Sequence, residues 1–144
     1  MTRPRAWVDG AARGNPGEAG FGVVFETAEG EHRIGGYLGE TTSNVAEYCG
    51  LLAALGWAER QGLRDLVLHS DSQLVVRQLA GAYRVKAPHL KPLFEAVLAS
   101  RKRLPGLEVR HVPREQNRAA DALANRAIDE RLAPPTWLAL PRNP

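Results

Sequence analysis

The chain opens with short apolar runs broken by turn residues. Arg5-Ala6-Trp7-Val8-Asp9 reads as a first strand that ends at Asp9-Gly10. Residues 11–20 hold Gly14, Asn15, Pro16, Gly17 and Gly20, a density of turn formers that predicts a loop. Phe21 to Phe25 reads as a second strand, residues 28–31 as a hairpin turn, and Arg33 to Leu38 as a third strand. Then the period changes. Val45, Tyr48, Leu52, Leu55 and Ala58 or Glu59 follow helical spacing, and Gly62 suits the left-handed residue that closes such a helix. Leu66 to His69 predicts a fourth strand, and Ser70-Asp71-Ser72 supplies N-cap residue types for a helix through Leu79. A basic loop over Gly81 to Pro88 leads to a helix from His89 to Arg103, which Pro105-Gly106 stops. Leu107 to Val112 predicts a fifth strand, and an alanine-rich helix runs from Arg118 to near Arg131. The order β-β-β-α-β-α-α-β-α implies an α/β fold, with a mixed five-stranded sheet flanked by helices. Residues 1–131 read as one domain, followed by a tail over 132–144 that holds four prolines and is expected on the surface, docked by Trp137 and Leu138.

Composition changes this picture little. Hydrophobic residues make up 44%, enough for a core, and 144 residues fit one domain. The single cysteine, Cys49, excludes a disulfide within the chain and fits a reducing compartment. No apolar run approaches the ~18 residues of a membrane span, and no signal-peptide pattern precedes the first strand. A cytoplasmic monomer away from membranes is the expectation. A net charge of +3 and a pI of about 9.4 are compatible with a nucleic-acid partner without requiring one.

Four acids then draw attention, although each has an ordinary role open to it. Asp9 precedes Gly10 in a common turn pair. Glu47 follows Asn44 at capping-box spacing, and Asp71 stands where a helix needs an N-cap. Asp121 lies three residues after Arg118 and could form a surface helix pair. Their joint placement suggests more. Asp9 and Asp71 each end a strand, so if those strands are neighbours both carboxylates emerge at one sheet edge. Glu47 is expected in the first turn of its helix. Asp121 is flanked by Ala119, Ala120 and Ala122, small enough to let a helix approach a crowded site. Carboxylates gathered at one spot repel, and a hard divalent cation such as Mg²⁺ removes that penalty while leaving room for phosphate oxygens. One cysteine and four scattered histidines offer no zinc site.

Four segments carry a resemblance. Asp9-Gly10-Ala11-Ala12-Arg13-Gly14-Asn15-Pro16-Gly17, Thr41-Thr42-Ser43-Asn44-Val45-Ala46-Glu47, Ser70-Asp71-Ser72-Gln73 and Asn117-Arg118-Ala119-Ala120-Asp121-Ala122-Leu123-Ala124 together resemble the type 1 ribonuclease H family. The resemblance spans residues 5–131 and implies the ribonuclease H-like fold. It also implies an endonuclease that cuts the RNA strand of RNA/DNA hybrids with two divalent ions, Mg²⁺ or Mn²⁺ in its place, leaving 5′-phosphate and 3′-hydroxyl ends. By position Asp9, Glu47, Asp71 and Asp121 match the family's catalytic, metal-holding carboxylates. Gly10, Asn15, Asn44, Ser72 and Gln73 match contacts to sugars or base edges in the minor groove, where RNA shows its 2′-hydroxyls. Thr42 and Ser43 match a pocket for a DNA-strand phosphate. The glycine-rich segment is no P-loop, since the Gly-Lys-Ser/Thr ending is missing.

Two features depart from the family pattern. The long basic handle of many members is replaced by a short loop with Arg84 and Lys86, followed by His89 and Lys91. Weaker hybrid binding is expected unless Arg101-Lys102-Arg103 or the tail contributes. The loop before the last helix, Pro113-Arg114-Glu115-Gln116, lacks the mobile histidine of several members, and His111 falls within the fifth strand. Arg114 or Glu115 could assist product release in its place. The short form resembles a bacterial and archaeal branch, some of whose members accept double-stranded RNA, so that activity stays open. The rivals are a catalytically silent nucleic-acid-binding module, which would not need all four acids, and a nuclease or integrase of the wider fold group, which lacks the Gly-Asn-Pro-Gly and Thr-Thr-Ser-Asn segments. A purely structural or interaction protein leaves the acid cluster unexplained.

Overall fold

The computed structural model describes residues 3–81 and 84–140. Residues 82 and 83 of the basic loop and 141–144 of the tail, with two of its prolines, lie outside the described residues. Strands β1 (Arg5–Gly14), β2 (Gly17–Thr27) and β3 (Gly30–Thr41) form an antiparallel meander. Strands β4 (Val67–Ser70) and β5 (Glu108–His111) join it in parallel with β1, giving the order β3-β2-β1-β4-β5. β1 is therefore the centre of the sheet, with an antiparallel neighbour on one side and a parallel one on the other.

The meander is longer than its apolar pattern predicts. The expected loop over residues 11–20 is instead strand: pairing continues from Gly10↔Phe21 out to Gly14↔Gly17, and only Asn15 and Pro16, joined by a cis peptide, make the turn. Backbone hydrogen bonds build this ladder without asking for large side chains. Gly20, one of the residues that read as turn formers, is buried, as is its neighbour Ala19. They leave the space that a helix fills.

Helix α1 (Ser43–Gln61) crosses one face of the sheet and α3 (Lys91–Lys102) packs outside it. Sandwiched between them, α1 is buried almost all round, including Ala46 to Leu55 and Ala58, where the sequence indicates a single stripe. Tyr48, Phe21, Phe25, Leu51, Leu55, Leu66 and Leu68 are fully buried here. Each large apolar side chain contributes roughly 1.5–3 kcal/mol on burial. Gly62, at φ 70°, ends α1 as expected. The short helix α2 (Gln73–Leu79) follows β4, and the Tyr48 hydroxyl donates to Gln78 to tie α2 to α1.

Helix α4 (Arg118–Asp129) covers the other face, over β2, β1 and β3. A single 3₁₀ turn, Arg114–Gln116, leads into it. Beyond α4 the chain turns back along the edge strand. The Leu132 carbonyl accepts from the Tyr37 amide at 2.7 Å, and Trp137 and Leu138 pack against the core with Arg60 over the Trp137 ring. The tail residues expected to dock do so, and the Leu132 carbonyl pairs part of the otherwise open β3 edge.

Candidate active site

Asp9 and Asp71 meet because their strands are parallel neighbours. Val8 is in register with Ser70, so the next residue of each chain leaves the ladder at the same place. Asp71 does not cap α2. Ser72 does, its hydroxyl accepting from the Val75 amide at 3.3 Å, while the Ser70 hydroxyl accepts from the Ser72 amide at 3.1 Å. Two serines thus satisfy the turn and leave the aspartate between them free of capping duty.

Glu47 arrives from α1. The helix is capped by Thr42, whose hydroxyl accepts from the Val45 amide at 3.2 Å. Glu47 therefore stands in the second turn, not in the first and not in a capping box. What brings it close is Gly10. A Cβ on that residue would lie 2.3 Å from the Glu47 nitrogen and 2.5 Å from the Ala46 carbonyl carbon. Only a bare Cα lets α1 approach β1 so nearly at the residue after Asp9.

Asp121 arrives from α4 by the same device on the other face. Gly22, the register partner of Asp9, would place a Cβ 2.6 Å from the Ala120 carbonyl oxygen and 2.7 Å from the Ala124 nitrogen. Of the alanines expected to allow this approach, Ala120 is buried, whereas Ala119 and Ala122 are exposed and Ala124 takes part instead. Asp121 forms no ion pair with Arg118 among the described residues; its carboxylate accepts from the Asn125 amide at 3.5 Å.

One ligand oxygen each from Asp9, Glu47 and Asp71 lies within 4.8 Å of the others, and Asp121 reaches the Asp9 carboxyl from the far side. Asp9 and Glu47 are buried, Asp71 and Asp121 half-buried. Burial pushes the Asp9 carboxyl up to about 7; a hydrogen bond with Glu47 opposes this, and the charges of Asp71 and Asp121 add to it. Burial and then the Asp9 charge push Glu47 well above the usual carboxylate range. One Glu47 oxygen is buried with no hydrogen-bond partner. Crowded carboxylates with an unsatisfied inward oxygen are the donor set that a hard divalent cation fits.

The expected substrate residues lie on the adjoining rim. Asn15, at the tip of the β1–β2 turn, accepts from the Ser43 amide at 3.1 Å, which joins the glycine-rich turn to the start of α1. Thr42, Ser43 and Asn44 are half-buried there, with Thr42 committed to capping. Gly10 is half-buried against α1, Ser72 caps α2, and Gln73 is exposed in the first turn of α2. His111 ends β5, exposed and paired in register with Ser70. Arg114, Glu115 and Arg118 line an open cavity with Asp121. Gly22 and Asn117 also shape the site and were given no role by sequence reasoning. A glycine inside an apolar strand was the available signal for the first, and an asparagine just before the Asp121 helix for the second.

A mixed sheet with acids gathered where two parallel strands part, and on two flanking helices, defines the ribonuclease H-like class. The chain matches a family described as reverse transcriptase-like over residues 7–127. It is 42% identical over 133 residues to ribonuclease HI of Halobacterium salinarum, covering 89% of this chain and 65% of that protein. Ribonuclease H of Alkalilimnicola ehrlichii is 36% identical over 141 residues, covering 87% of this chain and 94% of that protein. Among solved structures, LC11-RNase H1 in complex with an RNA/DNA hybrid superposes with a TM-score of 0.83 at 40% identity, over 91% of this chain and 100% of that one. This chain belongs to the ribonuclease H family, in its type 1 branch. It spans 34–65% of the length of the longer curated relatives it matches.

Proposed function

We propose that this protein is an endonuclease that hydrolyses the RNA strand of RNA/DNA hybrids with divalent metal ions, leaving 5′-phosphate and 3′-hydroxyl ends. The observation that carries the reading is the packing of Asp9, Glu47 and Asp71 within 4.8 Å, with Asp121 against Asp9 and a Glu47 oxygen unpartnered. These four side chains would hold the ions. Mg²⁺ is the natural occupant of an all-oxygen donor set, with Mn²⁺ able to replace it. A bound divalent ion supplies the charge that polarises a phosphoryl oxygen and acidifies an attacking water.

The rest of the work falls to this chain. Asp9, from the central strand, touches carboxylates on both flanking helices, so it sets the middle of the site. Burial of Asp9 and Glu47 keeps bulk water from screening the charge they hold. The rim of Gly10, Asn15, Asn44, Ser72 and Gln73 offers amides and hydroxyls to a minor groove carrying 2′-hydroxyls. Thr42 and Ser43, at the start of α1, offer a helix N-terminus to a DNA-strand phosphate. Residues 1–131 serve as the catalytic domain and 132–144 as a tail, in a protein that acts as a cytoplasmic monomer.

The test is end-group analysis on a hybrid labelled in its RNA strand, comparing the protein with Asp9→Asn. The protein yields RNA fragments with 5′-phosphate ends. Asp9→Asn lowers kcat by a factor of about 10³ or more while keeping the fold. Products with 5′-hydroxyl ends, or an Asp9→Asn variant with most of its activity, contradict the reading.

A further inference from the structure

Asn117 stands just before α4, more than half the chain away from β1. It is 1% exposed, so it touches no substrate. Its side-chain amide donates to the Val8 carbonyl at 2.9 Å. That carbonyl belongs to the peptide bond between Val8 and Asp9, so the contact holds the peptide plane from which Asp9 springs. The Asn117 carbonyl accepts from the Asp121 amide at 3.1 Å, which holds the backbone of Asp121. Its own amide donates to the Arg114 carbonyl at 3.0 Å, anchoring the residue to the preceding 3₁₀ turn. One buried residue therefore grips the backbones of two acids that come from different elements.

The side chain is diverted from an available local job. Asparagine is among the best residues for capping a helix start, and α1 and α2 are capped by the side chains of Thr42 and Ser72. At α4 the Asn117 side chain makes no capping bond, and its oxygen is buried without a partner. An arrangement that leaves the helix uncapped and an acceptor unsatisfied is unfavourable for stability alone. It makes sense where the reach to β1 matters more.

We propose that Asn117 is a positioning residue that fixes the separation of Asp9 and Asp121, and with it the affinity of the acidic cluster for divalent cations. The inference rests on the proposed function, which supplies the cation. Partners of this outer kind alter metal affinity or activity by about 10–100-fold when removed.

Two variants separate positioning from bulk and from capping. Asn117→Leu keeps the number of side-chain heavy atoms and loses the donor. Asn117→Ser is a good cap residue too short to reach Val8. Calorimetric titration with Mn²⁺ alone is read beside thermal melting and steady-state cleavage of an RNA/DNA hybrid. Both variants are expected to bind Mn²⁺ about tenfold or more weakly, with kcat lowered and KM changed by less than about twofold. Asn117→Ser is expected to melt closer to the parent protein than Asn117→Leu, yet to share its loss of affinity. A folded variant of either kind that binds Mn²⁺ within about twofold of the parent overturns the proposal, however far its melting temperature falls. Should Asn117→Leu fail to fold, Asn117→Ser decides alone. If the parent binds Mn²⁺ but cleaves no hybrid, the functional reading fails, and the affinity comparison still decides the role of Asn117.

Discussion

Asp9 is the residue on which most depends, and its own chemistry makes it testable apart from catalysis. Burial, with the neighbouring acids, pushes its carboxyl from 3.8 up to about 7. Between those values the folded chain holds a proton that the unfolded chain has released. Stability of the metal-free protein from this group is therefore full below about 4 and is lost as pH rises toward 7. The expected outcome is that Asp9→Asn, melted in chelator, gains stability over the parent as pH rises, by roughly 2–4 kcal/mol at pH 8. Melting curves at pH 4 and pH 8 check this, and an unchanged difference contradicts it. The four acids were legible in the sequence through their motifs, although Asp9, expected to end its strand, lies in the middle of β1, where only the pairing with β4 stops. The local duties of their neighbours were not. Asp71 and Glu47 both read as caps, whereas Ser72 and Thr42 do that work. Serine, threonine and aspartate are nearly equivalent as caps, so adjacent candidates cannot be ranked without the backbone.

At the scale of elements, two glycines do what motif reading assigned to helices alone. Gly10 admits α1 and Gly22 admits α4, on opposite faces of β1 and its neighbour. Gly22→Ala is expected to push α4 outward, cost about 1–3 kcal/mol of stability, and weaken Mn²⁺ binding through Asp121. Thermal melting with Mn²⁺ titration measures both, and an unaltered affinity would show that α4 tolerates the shift. Strand and helix identities were readable from periodicity, and the order of elements came out as observed. The β1–β2 hairpin beyond Asp9 was not, because Gly-rich and alanine-rich strands look like loops when judged by side chains. Burial around α1 was likewise underread: a helix covered on two sides loses the one-sided pattern that periodicity detects.

At the scale of the molecule, the positive charge is more committed than the sequence implies. Within Arg101-Lys102-Arg103, Arg101 donates to the Leu79 carbonyl at 2.7 Å and Arg103 pairs with Glu59 at 3.1 Å. The run that could have replaced a missing basic handle is thus partly spent inside the fold. Arg84, Lys86 and Lys91 are exposed in and after the short loop. If they meet phosphates, changing Arg84 and Lys86 together to alanine lowers the slope of log K against log salt by about 1.8, near 0.9 for each contact. Hybrid binding by the cleavage-deficient Asp9→Asn protein, measured across salt concentrations, gives that slope, and an unchanged slope removes the loop from the interface. Among the described residues no helix is long and apolar enough to cross a membrane.

The most direct measurement of the central claim is cleavage of labelled RNA/DNA hybrid, double-stranded RNA and double-stranded DNA, each with Mg²⁺, with Mn²⁺ and with chelator. The four-carboxylate site predicts cutting of the RNA strand of the hybrid in either metal and none in chelator, with double-stranded DNA left intact. Cutting that survives chelation, or no cutting of the hybrid in either metal, contradicts it.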